Sequence, residues 1–126
     1  MSANRVIERF RSNCRGFTAR FRLYLVLFGI ALLCDAITTT WFMLHYGPDT
    51  EVHPAVKVVS QMAGPVLGPW LDALAKFAAA VVVAIYIRRW ARVILLFGTV
   101  LSLWAAWYNV WGVNLYTPVL LRLIPW

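Results

Sequence analysis

Three stretches of this chain are each long and apolar enough to cross a lipid bilayer: Leu23 to Tyr46, Gly68 to Ile87, and Val93 to about Val113. A helix rises 1.5 Å per residue, so about 20 apolar residues match a hydrocarbon core of about 30 Å. Composition agrees: 62% of the 126 residues are hydrophobic and only 13% are charged. A soluble domain carries about 25% charged residues. A single domain of this length has too much surface for its volume to hide such an apolar surplus from water. A water-soluble obligate oligomer is the competing reading, and the length of the runs argues against it. The expected fold class is all-α: an integral membrane bundle of three transmembrane helices with spans of about 23–46, 68–87 and 93–113.

The net charge of +7 does not point to nucleic acid. Arg5, Arg9, Arg11, Arg15, Arg20 and Arg22 precede the first span, and Arg88, Arg89 and Arg92 fall between the second and third. Only Lys57 and Arg122 lie on the opposite side, and Lys76 is within the second span. This is the bias that keeps Lys and Arg cytoplasmic. No sequence signature of a nucleic-acid reader accompanies it. The expected orientation is N-in, C-out, in the cytoplasmic (inner) membrane, multi-pass.

The chain divides into a basic segment (1–22), the three-helix transmembrane domain (23–113) and an outer interfacial tail (114–126). In the first, Phe10, Phe17 and Phe21 alternate with arginines. On a helix, the arginines would meet anionic lipid headgroups and the phenylalanines the acyl boundary; the other reading is a topology signal alone. The first apolar run is too long for a signal-peptide core, carries Asp35 and lacks an A-x-A cleavage site, so it is expected to be retained. Gly47-Pro48 should end that span. In the segment 49–67, Pro54 could open a short helix and Gly64-Pro65 close it, as an interfacial or re-entrant outer segment. Cys14 and Cys34 show no CxxC spacing and are too far apart along a helix to pair.

Ionisable groups inside spans cost about 2.5–3.5 kcal/mol each on insertion scales, and so mark sites. Asp35 lies twelve residues beyond Leu23, and Lys76 eleven before Ile87. Both fall roughly 17 Å from the cytoplasmic surface, on antiparallel helices, where they can pair. Thr38 and Thr39 share a face with Asp35, and Asp72 shares one with Lys76. With Asn109 these groups form a second layer, roughly 22–24 Å deep. Glu51 and His53 hang above it on the loop. The expected polar cluster is therefore Asp35, Thr38, Thr39, Glu51, His53, Asp72, Lys76 and Asn109. It reads either as interhelical hydrogen bonding or as a pocket open to the outer side. His45, Glu51 and His53 are weak metal candidates, without HExxH or helical ligand spacing. Trp104, Trp107 and Trp111 form one face of the third span, read as an aromatic belt or packing stripe, with a pigment or quinone contact as the alternative. No catalytic signature is present, and no cofactor is expected.

The run Asp35-Ala-Ile-Thr38-Thr39, then Glu51-Val-His53-Pro54, Lys76 and Asn109, resembles the bacterial and archaeal membrane family catalogued as domain of unknown function 5658. That family's pattern is roughly D-x-x-T, E-x-N-P, an intramembrane Lys and a late Asn, and the resemblance covers about Leu23 to Val113. The chain departs from it at His53, where the family tends to have Asn. The resemblance implies topology and a polar cluster, and no activity.

Three function classes follow. The leading one is a non-enzymatic accessory or self-associating subunit, with other membrane helices as partners in a homo-oligomer or larger complex. Gly29, Ala31, Ala78, Ala79, Ala80, Ala84, Gly98 and Ala105 supply small surfaces for close approach. The second is a small oligomeric transporter or channel for an ion or small solute, using Asp35, Lys76 and Asp72. The third is a membrane enzyme acting on a lipid or quinone. The charge bias makes a topology prediction. A reporter active only outside the cytoplasm should work when fused after Trp126 and fail after Arg89. A cytoplasmic fusion at Trp126 would require an even number of spans and overturn the three-span reading.

Overall fold

The structure, a computed structural model, describes residues 3–51 and 53–112. Among them the regular elements are all helical, with no strand. They are α1 (Ala3–Cys14), α2 (Phe17–Tyr46), α3 (Pro54–Ala63), α4 (Leu67–Tyr86) and α5 (Ala91–Trp107), with a short π-helical turn at Tyr108–Gly112. Three helical stretches are long and apolar enough to span a membrane: Phe17–Tyr46, Leu67–Tyr86 and Arg88–Trp111. The expected tail, 114–126, and Val113 at the end of the third span lie outside the described residues.

Glycines set the breaks between helices. Gly16, Gly47 and Gly64 all have positive φ, at 66°, 83° and 95°, where a side chain would be strained. Gly47 ends α2, its N–H donating to the Met43 carbonyl at 2.9 Å. Pro48 then starts the 3₁₀ turn Pro48–Thr50. His53 precedes α3 in extended conformation, and its Nδ1 accepts from the Val56 N–H at 3.5 Å. Pro54 takes the first helical position, where a missing N–H costs nothing. Gly64 closes α3 with an N–H donated to Ser60 at 2.8 Å. The short helix expected from Pro54 and Gly64-Pro65 is thus α3.

The first span begins earlier than the sequence suggested. α2 starts at Phe17, so the division drawn between residues 22 and 23 falls inside one helix, kinked at Phe21. Phe17 and Phe21 are only 2% and 3% exposed, so they do not face an acyl boundary. They pack on each other, ring centroids 4.7 Å apart, and join Phe28, Leu32, Ala84, Ala91 and Leu95 in the main core. At this kinked helix start the two apolar rings are buried by protein while Arg20 and Arg22 stay exposed. The alternation of Phe and Arg could not show which solvent, lipid or protein, the rings would meet.

Two glycines permit close helix approach. A Cβ at Gly98 would lie 2.7 Å from Cε2 of Phe28, so the phenyl ring seats directly against the α5 backbone. A Cβ at Gly68 would lie 2.6 Å from Ser60 Cα, which lets α3 fold tightly onto the start of α4. Of the other small residues, Ala31 and Ala84 are buried inside the chain, while Ala78 and Ala79 are exposed on α4.

α1 is docked at the end of the bundle that carries the arginines. Arg88 Nη1 donates to the carbonyls of Asn13 and Arg15, both at 3.0 Å. These are carbonyls at and just beyond the end of α1, which lack helical partners and favour a cation. Asn13 Nδ2 donates to the Tyr86 carbonyl at 3.3 Å, and the Arg9 guanidinium lies 5.3 Å from the Tyr86 ring centroid. The opposite end is closed by the start of α3, where Val56 packs on Phe42 and Met43.

Candidate functional site

The polar residues of the three spans converge near the α3 end. They line a cavity of about 80 Å³ with Asp35 and Thr39 from α2, Asp72 and Lys76 from α4, and Asn109 beyond α5. Glu51 and His53 reach it from the turn before α3, and Ala36, Val56, Pro69 and Ala105 complete the wall. Thr38 lies just behind this lining. Its hydroxyl donates back to the Cys34 carbonyl at 2.9 Å and accepts from Asn109 Nδ2 at 3.3 Å.

The hydrogen bonds run in one direction. Asn109 Nδ2 also donates to Thr39 Oγ1 at 2.8 Å, and Thr39 Oγ1 donates to Asp35 Oδ1 at 3.3 Å. This ties the third span to the first and fixes the Asp35 carboxylate. Asn109 is presented by the π-helical turn Tyr108–Gly112. Such turns shift the register of the side chains they carry and often occur at functional sites. The sequence carries no signal that would have revealed this turn.

Lys76 stands between two carboxylates. Its Nζ is 3.7 Å from Asp35 Oδ2 and 2.5 Å from Asp72 Oδ2. The matched depth of Asp35 and Lys76 along their helices corresponds to the first contact. The second is the shorter, because Asp72 is one turn away on the same helix and needs no helix–helix alignment to reach the ammonium. Asp35 is 8% exposed as a residue, whereas the Lys76 side chain is 37% exposed. The carboxylate is therefore enclosed, and its counter-ion sits at the edge of the bundle.

The three weak metal candidates do not come together. His45 Nδ1 is 2.8 Å from the Trp41 carbonyl, its ring packs on Trp41, and it does not line the cavity. Among the described residues no group of three or more His, Cys, Asp and Glu side chains is placed to hold a metal ion. Glu51 and His53 instead brace the turn, Glu51 Oε1 accepting from the His53 N–H at 3.0 Å. Trp104 and Trp107 are exposed on α5 and Trp111 on the π-helical turn that follows it, with Trp104 stacked on Tyr108.

The lining supplies carboxylate and amide oxygens, one ammonium and one imidazole. Its one hydroxyl, on Thr39, is already committed to Asp35. This arrangement can hold charge and accept hydrogen bonds. Searches against protein-family models, curated proteins and solved structures give no match for this chain.

The geometry ranks the effects of neutralising each charge. Lys76→Met leaves two carboxylates facing each other and should cost up to about 3 kcal/mol. Asp35→Asn should cost less, because Asp72 keeps the ammonium. Adding Asp35→Asn to Lys76→Met should recover part of the loss. Thermal unfolding in detergent across this double-mutant cycle checks the ranking. Strictly additive losses would show that the two groups do not interact.

Proposed function

We propose that this chain is a non-enzymatic subunit of the cytoplasmic membrane that completes its bundle against other transmembrane helices. The orientation in this reading is N-in, C-out, supported by the clustering of Arg5, Arg9, Arg11, Arg15, Arg20, Arg22, Arg88, Arg89 and Arg92 at one end. The exposed arginines of α1 then meet anionic headgroups.

The observation that carries the reading is the exposure of Lys76. A cation in mid-span with 37% of its side chain uncovered is unfavourable against hydrocarbon. On α4 it lies where the packed face gives way to exposed Ala75, Ala79 and Val83. A helix laid on those small residues would come close enough to cover the ammonium. Most of the surface of α4 and of Arg88–Trp111 is not buried within the chain, which leaves ample room for such contacts. A second reading, a small oligomeric transporter or channel, is favoured by the polar cavity. Kinship with the domain of unknown function 5658 family is part of the proposal, supported by the convergence on that cavity of the motif residues Asp35, Glu51, Lys76 and Asn109, with His53 standing where the family tends to have Asn.

Cysteine cross-linking tests the assembly. In a Cys14→Ser, Cys34→Ser background, Ala79→Cys in native membranes should form a disulfide-linked dimer or a defined adduct with another membrane protein. The same substitution at the buried Ala84 should not. Absence of any adduct at Ala79, together with a monomer by native mass spectrometry from lipid nanodiscs, would overturn the subunit reading.

A further inference from the structure

We propose that the cavity between α2, α4 and α5 binds a small primary ammonium ion, and that Lys76 is its tethered competitor. The inference goes beyond assembly and does not depend on it. It begins with charge. The lining holds three carboxylates, from Asp35, Asp72 and Glu51, against one ammonium. His53, counted as the neutral imidazole whose Nδ1 can accept from the Val56 N–H at 3.5 Å, adds nothing to the balance. The wall therefore carries two more negative than positive charges, next to an apolar phase that stabilises neither.

The unspent hydrogen-bonding capacity is of the matching kind. Asp35 Oδ2 stands 3.7 Å from Lys76 Nζ, beyond direct hydrogen-bond reach. Asn109 has committed its amide nitrogen to Thr38 and Thr39, so its carbonyl oxygen is the group it can offer. Glu51 uses Oε1 on the His53 N–H and retains Oε2. These acceptors come from separate elements, which suits a ligand whose N–H groups diverge. A divalent metal would need several anionic ligands converging on one point, and no such group of three is present among the described residues. At about 80 Å³ the cavity exceeds what one water needs and falls well below the roughly 300 Å³ of a drug-sized site. Methylammonium is of the right scale.

Lys76 already displays how the wall receives an ammonium. Its Nζ is 2.5 Å from Asp72 and 3.7 Å from Asp35, and its side chain is 37% exposed at the edge of the bundle. An incoming ammonium would compete for the carboxylates that Lys76 now holds, with Lys76 keeping Asp72 and the ligand taking Asp35 and Glu51. Deleting the lysine charge should accordingly open the site rather than destroy it.

Isothermal titration of the purified full chain in detergent tests this. Methylammonium chloride and sodium chloride serve as the two probes, and choline chloride holds ionic strength constant. Saturable methylammonium binding is expected, about tenfold tighter in Lys76→Met and about tenfold weaker in Glu51→Gln, whose side chain lies outside the spans. Methylammonium should also raise the thermal unfolding temperature of Lys76→Met more than that of the unaltered chain, a rescue that sodium should not reproduce. No saturable methylammonium binding in either the unaltered chain or Lys76→Met, with no rise in the unfolding temperature of Lys76→Met, or equal binding by Glu51→Gln and the unaltered chain, would refute the site. Tighter binding of sodium than of methylammonium would refute the ligand class.

Discussion

The ammonium of Lys76 held between Asp72 and Asp35 is the constraint on which the rest of the bundle depends. In an apolar phase one charge must find another, and this pairing sets the relative height of α2 and α4. A shift of one helical turn between them, about 5.4 Å, would separate Asp35 from Lys76 and leave a carboxylate enclosed without its cation. The Asn109–Thr39–Asp35 chain adds the third span to the same point. Apolar packing, by contrast, is non-directional against lipid and specifies register weakly. Its strongest local contributions come where a glycine admits a ring or a backbone, as at Gly98 against Phe28 and Gly68 against Ser60.

Much of this was legible in the chain itself. Run length announced three membrane-competent helices, and proline and glycine at 47–48, 54 and 64–65 marked where helices stop and start. Counting residues from the ends of the runs put Asp35 and Lys76 at one depth, because a long apolar helix has a fixed rise and few ways to deviate. The count could not say which carboxylate would stand nearest the ammonium. It also missed the kink at Phe21 and the π-helical turn that presents Asn109, since neither leaves a compositional trace. His53 is instructive in another way. The position before Pro54 needs a side-chain acceptor for the Val56 N–H, and an imidazole Nδ1 supplies one where an amide oxygen would also serve.

Assembly and ligand binding make different demands on Lys76, and its position at the edge of α4 meets both. Facing the cavity, it neutralises part of an acidic wall. Facing Ala75 and Ala79, it needs a neighbouring helix. In the proposed assembly, a partner laid on that face would shield the ammonium from hydrocarbon. Glu51 and His53, joined by the Glu51 carboxylate accepting from the His53 N–H, and Val56 of α3, packed on Phe42 and Met43, form the other boundary of the same space.

The central claim is that a charged Lys76 bridges Asp72 and Asp35 in the bilayer. Solid-state NMR tests it directly, because Lys57→Arg leaves Lys76 as the sole lysine in the chain. With ¹⁵N-labelled lysine and ¹³C-labelled aspartate in lipid vesicles, Nζ should show the shift of an ammonium. It should also show dipolar contacts to two carboxyl carbons, the weaker of which disappears in Asp35→Asn. A neutral amine, or an ammonium coupled to no carboxyl carbon, would contradict the account.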